Sequence, residues 1–213
     1  MSEARTAIFS RLQAQAPGAA EGRQRVQARL AAPCSEPRPQ LIGDLLARFR
    51  AKAEALSSTT DEVAGLSDAP AAVARYLAAQ GLSGPLVVAP ALKALDWAAA
   101  GLQVALRGAR DADRVGVTGC DFAIAETGTI LLLSAPDCPP TVSLLPETHI
   151  ALVRASRVLP SIEDVLTRLR AAGGELPRAL NFISGPSRTG DIEQTIVLGA
   201  HGPCAVHLLI YRD

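Results

Sequence analysis

Apolar residues follow one period in the N-terminal part of the chain and another beyond it. Ile8, Phe9 and Leu12 fall on one helical face, as do Val26 and Leu30, with Gly18 and the proline-rich 33–39 stretch interrupting the pattern. Leu41, Ile42, Leu45, Leu46, Phe49, Ala53 and Leu56 then recur at three- and four-residue spacing around Arg48, Arg50 and Lys52, which predicts a longer helix. From about residue 57 short apolar runs take over. Strands are predicted at 59–63, 86–88, 104–106, 115–118, 129–133, 150–153, 179–184 and 205–210. Helices are predicted at 69–80, stopped by Gly81, and at 94–101. Another opens at Pro160-Ser161, carries Ile162, Val165, Leu166 and Leu169 on one face, and stops at Gly173-Gly174.

Strands alternating with helices predict an α/β fold, with a mostly parallel sheet carrying helices on its faces. Residues 1–37 show no core of their own and read as an N-terminal helical extension; residues 38–213 read as the main domain. In such sheets ligands lie beyond the carboxyl ends of the strands.

Composition narrows the function. Apolar residues make up 48% of the 213 but aromatics only 3%, so the core is aliphatic and offers no platform for stacking bases. Lys plus Arg and Asp plus Glu balance at 21 each, giving no long-range pull toward nucleic acid or an anionic membrane. No apolar run approaches the roughly 18 residues of a membrane span, and residues 1–12 lack the apolar centre of a secretory signal. Cys34, Cys120, Cys138 and Cys204 are scattered, without Cys-x-x-Cys pairs, so neither a zinc site nor an iron–sulfur cluster is expected. They read as reduced thiols of a cytoplasmic protein. No dinucleotide fingerprint, Walker loop or His-Glu-x-x-His is present, and neither cofactor nor metal is expected.

Three polar loops next to apolar strands hold the candidate chemistry. In the first, Glu126 precedes Thr127, Gly128 and Thr129. A carboxylate beside a glycine that admits close backbone approach suits a nucleophile, a base or a ligand anchor; equally, it suits a turn whose acid bonds its own amides. The second gathers Ser184, Gly185, Ser187, Arg188, Thr189, Asp191 and Glu193. Hydroxyls, amides and a guanidinium fork suit a bound carboxylate or phosphate, whereas Arg188 paired with Asp191 or Glu193 would make the loop structural. Gly185 to Gly190 is one residue too long for a Gly-x-Ser-x-Gly elbow, which disfavours a serine hydrolase. The third sets His201 between glycines, with Gly202 following, where it can donate to an anion, move a proton or serve structure alone. All three loops are expected to converge at one sheet edge, with Glu126, Arg188 and His201 bordering one pocket for a small anionic ligand.

The segments Ala125-Glu-Thr-Gly-Thr129, Ser143-Leu-Leu-Pro-Glu-Thr-His149, Ser184-Gly-Pro-Ser-Arg-Thr-Gly-Asp-Ile-Glu-Gln194 and Gly199-Ala-His-Gly-Pro203 resemble, in order and spacing, the lactate-utilisation protein C family, which carries the LUD domain. The resemblance covers roughly residues 40–213. It implies a Rossmann-like layered α/β fold of the NagB/RpiA/CoA-transferase-like type. It also implies a part in oxidising L-lactate to pyruvate beside partner proteins that carry iron–sulfur clusters; a chain without cluster cysteines suits the C-type member. CoA transferases of that superfamily hold a reactive glutamate in a Glu-Asn-Gly-type loop. Glu126 before Thr127-Gly128 matches that loop by analogy only.

Overall fold

The structure is a computed structural model that describes residues 3–15, 18–31, 41, 43–173, 176–189 and 197–212. Two compact units form, Met1–Gln40 and Leu41–Asp213. The first contains helices α1 (Glu3–Gln15) and α2 (Ala19–Ala31). Its apolar side chains Ile8, Phe9, Leu12, Val26 and Leu30 are all exposed.

The second unit opens with α3 (Leu45–Ala55), capped by Asp44, whose carboxylate accepts from the Leu46 and Ala47 amides. It continues through β1 (Thr59–Val63), α4 (Ala69–Ala79), β2 (Leu86–Val88), β3 (Val104–Leu106), β4 (Val115–Gly119), β5 (Phe122–Ile124), β6 (Thr129–Leu133) and α5 (Thr141–Leu144). Then come β7 (Thr148–Arg154), β8 (Val158–Leu159), α6 (Ile162–Ala172), β9 (Leu180–Ile183), β10 (Arg188–Thr189), β11 (Val197–Leu198) and β12 (Ala205–Tyr211). Six strands make a wholly parallel sheet in the order β1-β12-β7-β4-β2-β3. Four others make a second sheet, β8-β5-β6-β9, in which β6 runs antiparallel to both β5 and β9.

The expected parallel sheet is present, but one of its faces is covered by a second, largely antiparallel sheet as well as by α3. Residues 129–133 and 180–183 belong to the second sheet, and that sheet covers one face of the first. Successive residues of a strand point to opposite faces, and the burial follows. Ile150 and Leu152 of β7 join Val73 and Leu77 of α4 in one core, while Ala151 and Val153 join Phe49 and Ala53 of α3 and Ala123, Ile130 and Leu132 of the second sheet. The outer face of the second sheet, through Phe122, Ile124 and Leu131, packs on Val165 of α6. The unit is therefore layered: α4, parallel sheet, second sheet with α3, then α6. Strands buried on both faces carry unbroken apolar runs, and each fully buried Leu, Ile or Val contributes about 1.5–3 kcal/mol.

Helix α6 starts as the sequence indicates. Ser161 and Asp164 form a reciprocal capping box, and Gly173, at φ +66°, ends the helix. Gly174 lies outside the described residues. The helix expected at 94–101 is absent and turns stand in its place. The Asp96 carboxylate accepts from the Ala99 amide, and the Trp97 indole donates to the Leu92 carbonyl; these local bonds compete with helical ones. Among the described residues no helix is long and apolar enough to cross a membrane.

Candidate functional site

The loops gather around the carboxyl end of α3. Gly128, at φ +71°, sits at the tip of the β5–β6 hairpin, where an added Cβ would lie 2.3 Å from the Ala53 nitrogen. Gly185, at φ +80°, would bring a Cβ to 2.3 Å from the Leu56 carbonyl oxygen. Only glycine allows both the backbone angle and the approach. A line of hydroxyls joins the two loops: Thr127 donates to Thr129 Oγ1 at 2.7 Å, and Thr129 Oγ1 lies 2.7 Å from Ser184 Oγ. Thr129 and Thr189 are buried, whereas Thr127 is exposed.

Arg188 leaves β10 and reaches the same helix end. Its Nη2 donates to Ser57 Oγ and, at 3.5 Å, to the Leu56 carbonyl. Terminal helix carbonyls lack intrahelical partners and carry the negative end of the helix dipole, so a guanidinium there is a favourable cap. Ser57 holds φ +68°, the only positive value outside glycine among the described residues. The third loop docks on Ser187. The Ser187 amide donates to the Pro203 carbonyl at 2.8 Å, the Gly199 amide to the Ser187 carbonyl at 2.9 Å, and the His201 amide to Ser187 Oγ at 3.3 Å. Gly202 lies against the Ser187 side chain.

The hydroxyls, the glycines and Arg188 thus share one region, and His201 joins it through Ser187. Among the described residues no hydrogen bond or ion pair links the side chains of Glu126, Arg188 and His201. Glu126 is half-buried and its amide donates to the Pro160 carbonyl. Asp191, Glu193 and Gly190 lie outside the described residues, as does Cys34.

The edge differs from the one expected. His201 precedes β12, and the Cys204 amide donates to the carbonyl of Glu147, the residue before β7. Leu56 and Ser57 precede β1. The loops therefore meet at the amino edge of the parallel sheet. The physical reason is that β6 and β9 belong to the antiparallel layer, where a loop beside a strand need not point to the carboxyl edge of its neighbour.

The carboxyl edge holds a different assembly. A cavity of about 390 Å³ is lined by Cys120, Asp121, Arg154, Arg157, Arg168 and Tyr211, among others. A second, of about 480 Å³, shares Cys120, Asp121 and Leu133 with it and reaches Asp137 and Cys138. Burial raises the Asp121 carboxyl above its ordinary value, against the Leu133 amide, which donates to it at 2.7 Å. Burial also raises the Cys120 thiol, and pushes Cys138 up to about 11, so both stay protonated near neutrality. Cys120, Cys138 and Cys204 are free thiols. Sequence reasoning singled out neither the arginines nor Tyr211. The available clue was position: Gly119, Arg154 and Tyr211 each end an apolar strand.

Layers in this order, with a six-stranded parallel sheet at the centre, define a layered α/β protein with N-terminal helices. The LUD domain family matches residues 38–211, and the chain belongs to that family. Lactate utilization protein C of Halalkalibacterium halodurans is 43% identical over 102 residues, 46% of this chain and 44% of that protein. The same-named protein of Bacillus subtilis is 38% identical over 102 residues, 46% of this chain and 42% of that one. That of Bacillus licheniformis is 35% identical over 124 residues, 57% and 51% of the two chains. The chain spans about half the length of the curated relatives it matches. The crystal structure of a DUF162 family protein from Deinococcus radiodurans superposes with a TM-score of 0.58 at 22% identity, over 81% of this chain and 99% of that one; this likeness concerns the fold.

Proposed function

We propose that this chain is a cytoplasmic lactate-utilisation component that acts beside iron–sulfur partner proteins in oxidising L-lactate to pyruvate. The observation that carries the reading is the LUD match over residues 38–211, together with relatives named lactate utilization protein C. The scattered cysteines suit a member that leaves cluster binding to its partners. In this reading residues 1–37 are a helical extension and residues 38–213 the LUD domain, with a fold of the NagB/RpiA/CoA-transferase-like type; the six-stranded parallel sheet supports that assignment. Deleting the gene in its host should abolish growth on L-lactate while sparing growth on pyruvate. The native chain should also co-purify with proteins that contain iron and labile sulfide. Unimpaired growth on L-lactate would overturn the reading.

A second reading makes the chain itself a binder or enzyme for a small carboxylate, phosphate ester or CoA ester. Glu126 and His201 would be the reacting groups. Thr127, Gly128, Thr129, Gly185, Ser187, Arg188, Thr189, Asp191, Glu193 and Gly202 would hold the ligand. What favours it is that the loops carrying the hydroxyl line Thr127–Thr129–Ser184 and the Arg188 guanidinium both abut the carboxyl end of α3.

A further inference from the structure

The carboxyl edge of the parallel sheet is where such folds usually place ligands, because loops from adjacent strands meet there around the sheet's open end. Here three neighbouring strands, β4, β7 and β12, deliver Cys120 and Asp121, Arg154, and Tyr211 to one cavity. The turn after β7 adds Arg157, and α6 adds Arg168. Among the described residues, three guanidiniums and the Asp121 carboxyl line about 390 Å³. That volume falls within the range of small-molecule sites, roughly 300–1,000 Å³.

Two of the arginines rest on rings. The Arg157 guanidinium lies 5.4 Å from the centre of the Phe122 ring. Arg154 lies 5.8 Å from that of Tyr211 and its Nε donates to the Tyr211 hydroxyl at 3.4 Å. Ring contact fixes a guanidinium plane while leaving its N–H edge available. Among the described residues neither Arg157 nor Arg168 has a carboxylate within salt-bridge distance. Guanidiniums gathered on a concave wall focus the field and raise the local concentration of anions.

We propose that this cavity binds a small organic anion carrying at least two negative charges, its phosphate or carboxylate oxygens held by Arg157 and Arg168 with Arg154 behind them. Planar guanidinium forks match both oxyanion geometries. The site is separate from the Arg188 loop and stands independently of the function proposed above.

The test is titration calorimetry on the whole chain with inorganic phosphate, glycerol 3-phosphate, succinate and lactate, in wild type and in Arg157→Gln, Arg168→Gln and Arg188→Gln. Glycerol 3-phosphate or succinate should bind wild type, and which of the two binds tells phosphate from carboxylate recognition. Each cavity substitution should weaken binding about ten- to hundredfold, as expected for one lost charge-assisted bond. Arg157 and Arg168 are both exposed, so ligand-free thermal melts should stay at the wild-type value. Arg188→Gln should leave the affinity intact. The proposal fails if no dianion binds wild type at millimolar concentration, or if the cavity variants bind as well as wild type. Loss confined to Arg188→Gln would move the anion to the amino edge and equally overturn the proposal.

Discussion

At the amino edge of the parallel sheet, backbone presses on backbone. Gly128 and Gly185 close on the last turn of α3, hydroxyls pair with one another, and Arg188 is spent on a helix terminus. His149 and His207 lie close by, near the starts of β7 and β12, and both are buried. At the carboxyl edge the wall is open and three arginines line a cavity. The residues most distinctive in sequence thus build the closely packed edge, whereas those lining the cavity at the other edge come from separate elements. A distinctive loop can reflect close packing as readily as ligand chemistry.

The broadest way to break this comparison is acid. Burial lowers both imidazoles from 6.5 to about 4 in the folded chain. Between those values the unfolded chain binds protons that the folded chain refuses, so stability is full above pH 6.5 and falls as pH drops toward 4. The loss is on the order of 3 kcal/mol for each histidine, at about 1.4 kcal/mol per pH unit. Urea unfolding from pH 7.5 to 4 should show this slope, and NMR titration should find neither imidazole protonating above pH 5. Protonation of either near pH 6.5 in the folded state would mean that the amino edge is not dry.

A narrower probe is Gly128→Ala. A left-handed backbone costs an alanine about 1–2 kcal/mol, and crowding against the Ala53 nitrogen adds about 1–3 kcal/mol. Gly81→Ala supplies the contrast, with φ +64° at the end of α4 but nothing within 4 Å of the added Cβ, and should lose only the first of these. Equal losses in denaturant melts would show that the hairpin tip does not bear on α3.

The smallest expected effect belongs to Arg188→Ala. Its guanidinium is exposed, and exposed charges contribute about 1 kcal/mol or less. The thermal midpoint should fall slightly, and Arg188→Lys should recover part of the loss because an ammonium keeps the charge but not the fork. If lactate or phosphate raises the wild-type midpoint but not that of Arg188→Ala, the amino edge binds ligand after all, and the contrast between the edges weakens.

Much of the framework was legible in the chain. The periodic stripe of α6, its Ser161 start and its Gly173 stop carry their own instructions, and the apolar runs of β4, β7 and β12 mark buried strands. What could not be read was the sheet each strand joins. Thr129–Leu133 is as apolar as the core of β7, because both are covered on two faces, and composition does not encode the direction of a neighbour. Phe122–Ile124 is too short to announce itself. From this follows the misplacement of the loops: their grouping was visible in their chemistry, but the edge depended on the hidden antiparallel layer. Arg154, Arg157 and Arg168 sit on a strand end, a turn and a helix, and only folding brings them to one wall.

The place of β12 has a consequence for synthesis. It is the last strand of the described chain, yet it lies between β1 and β7, pairing Thr59 with His207 across 148 positions. On the ribosome β1 emerges early and has no sheet neighbour until residues 205–211 appear. Until then one side of β7 is an open, apolar edge, the kind that recruits strands from other chains. Closure over so long a separation is slow. A ribosome stalled before residue 205 would leave β1 without a sheet neighbour and β7 with an edge that a chaperone must cover.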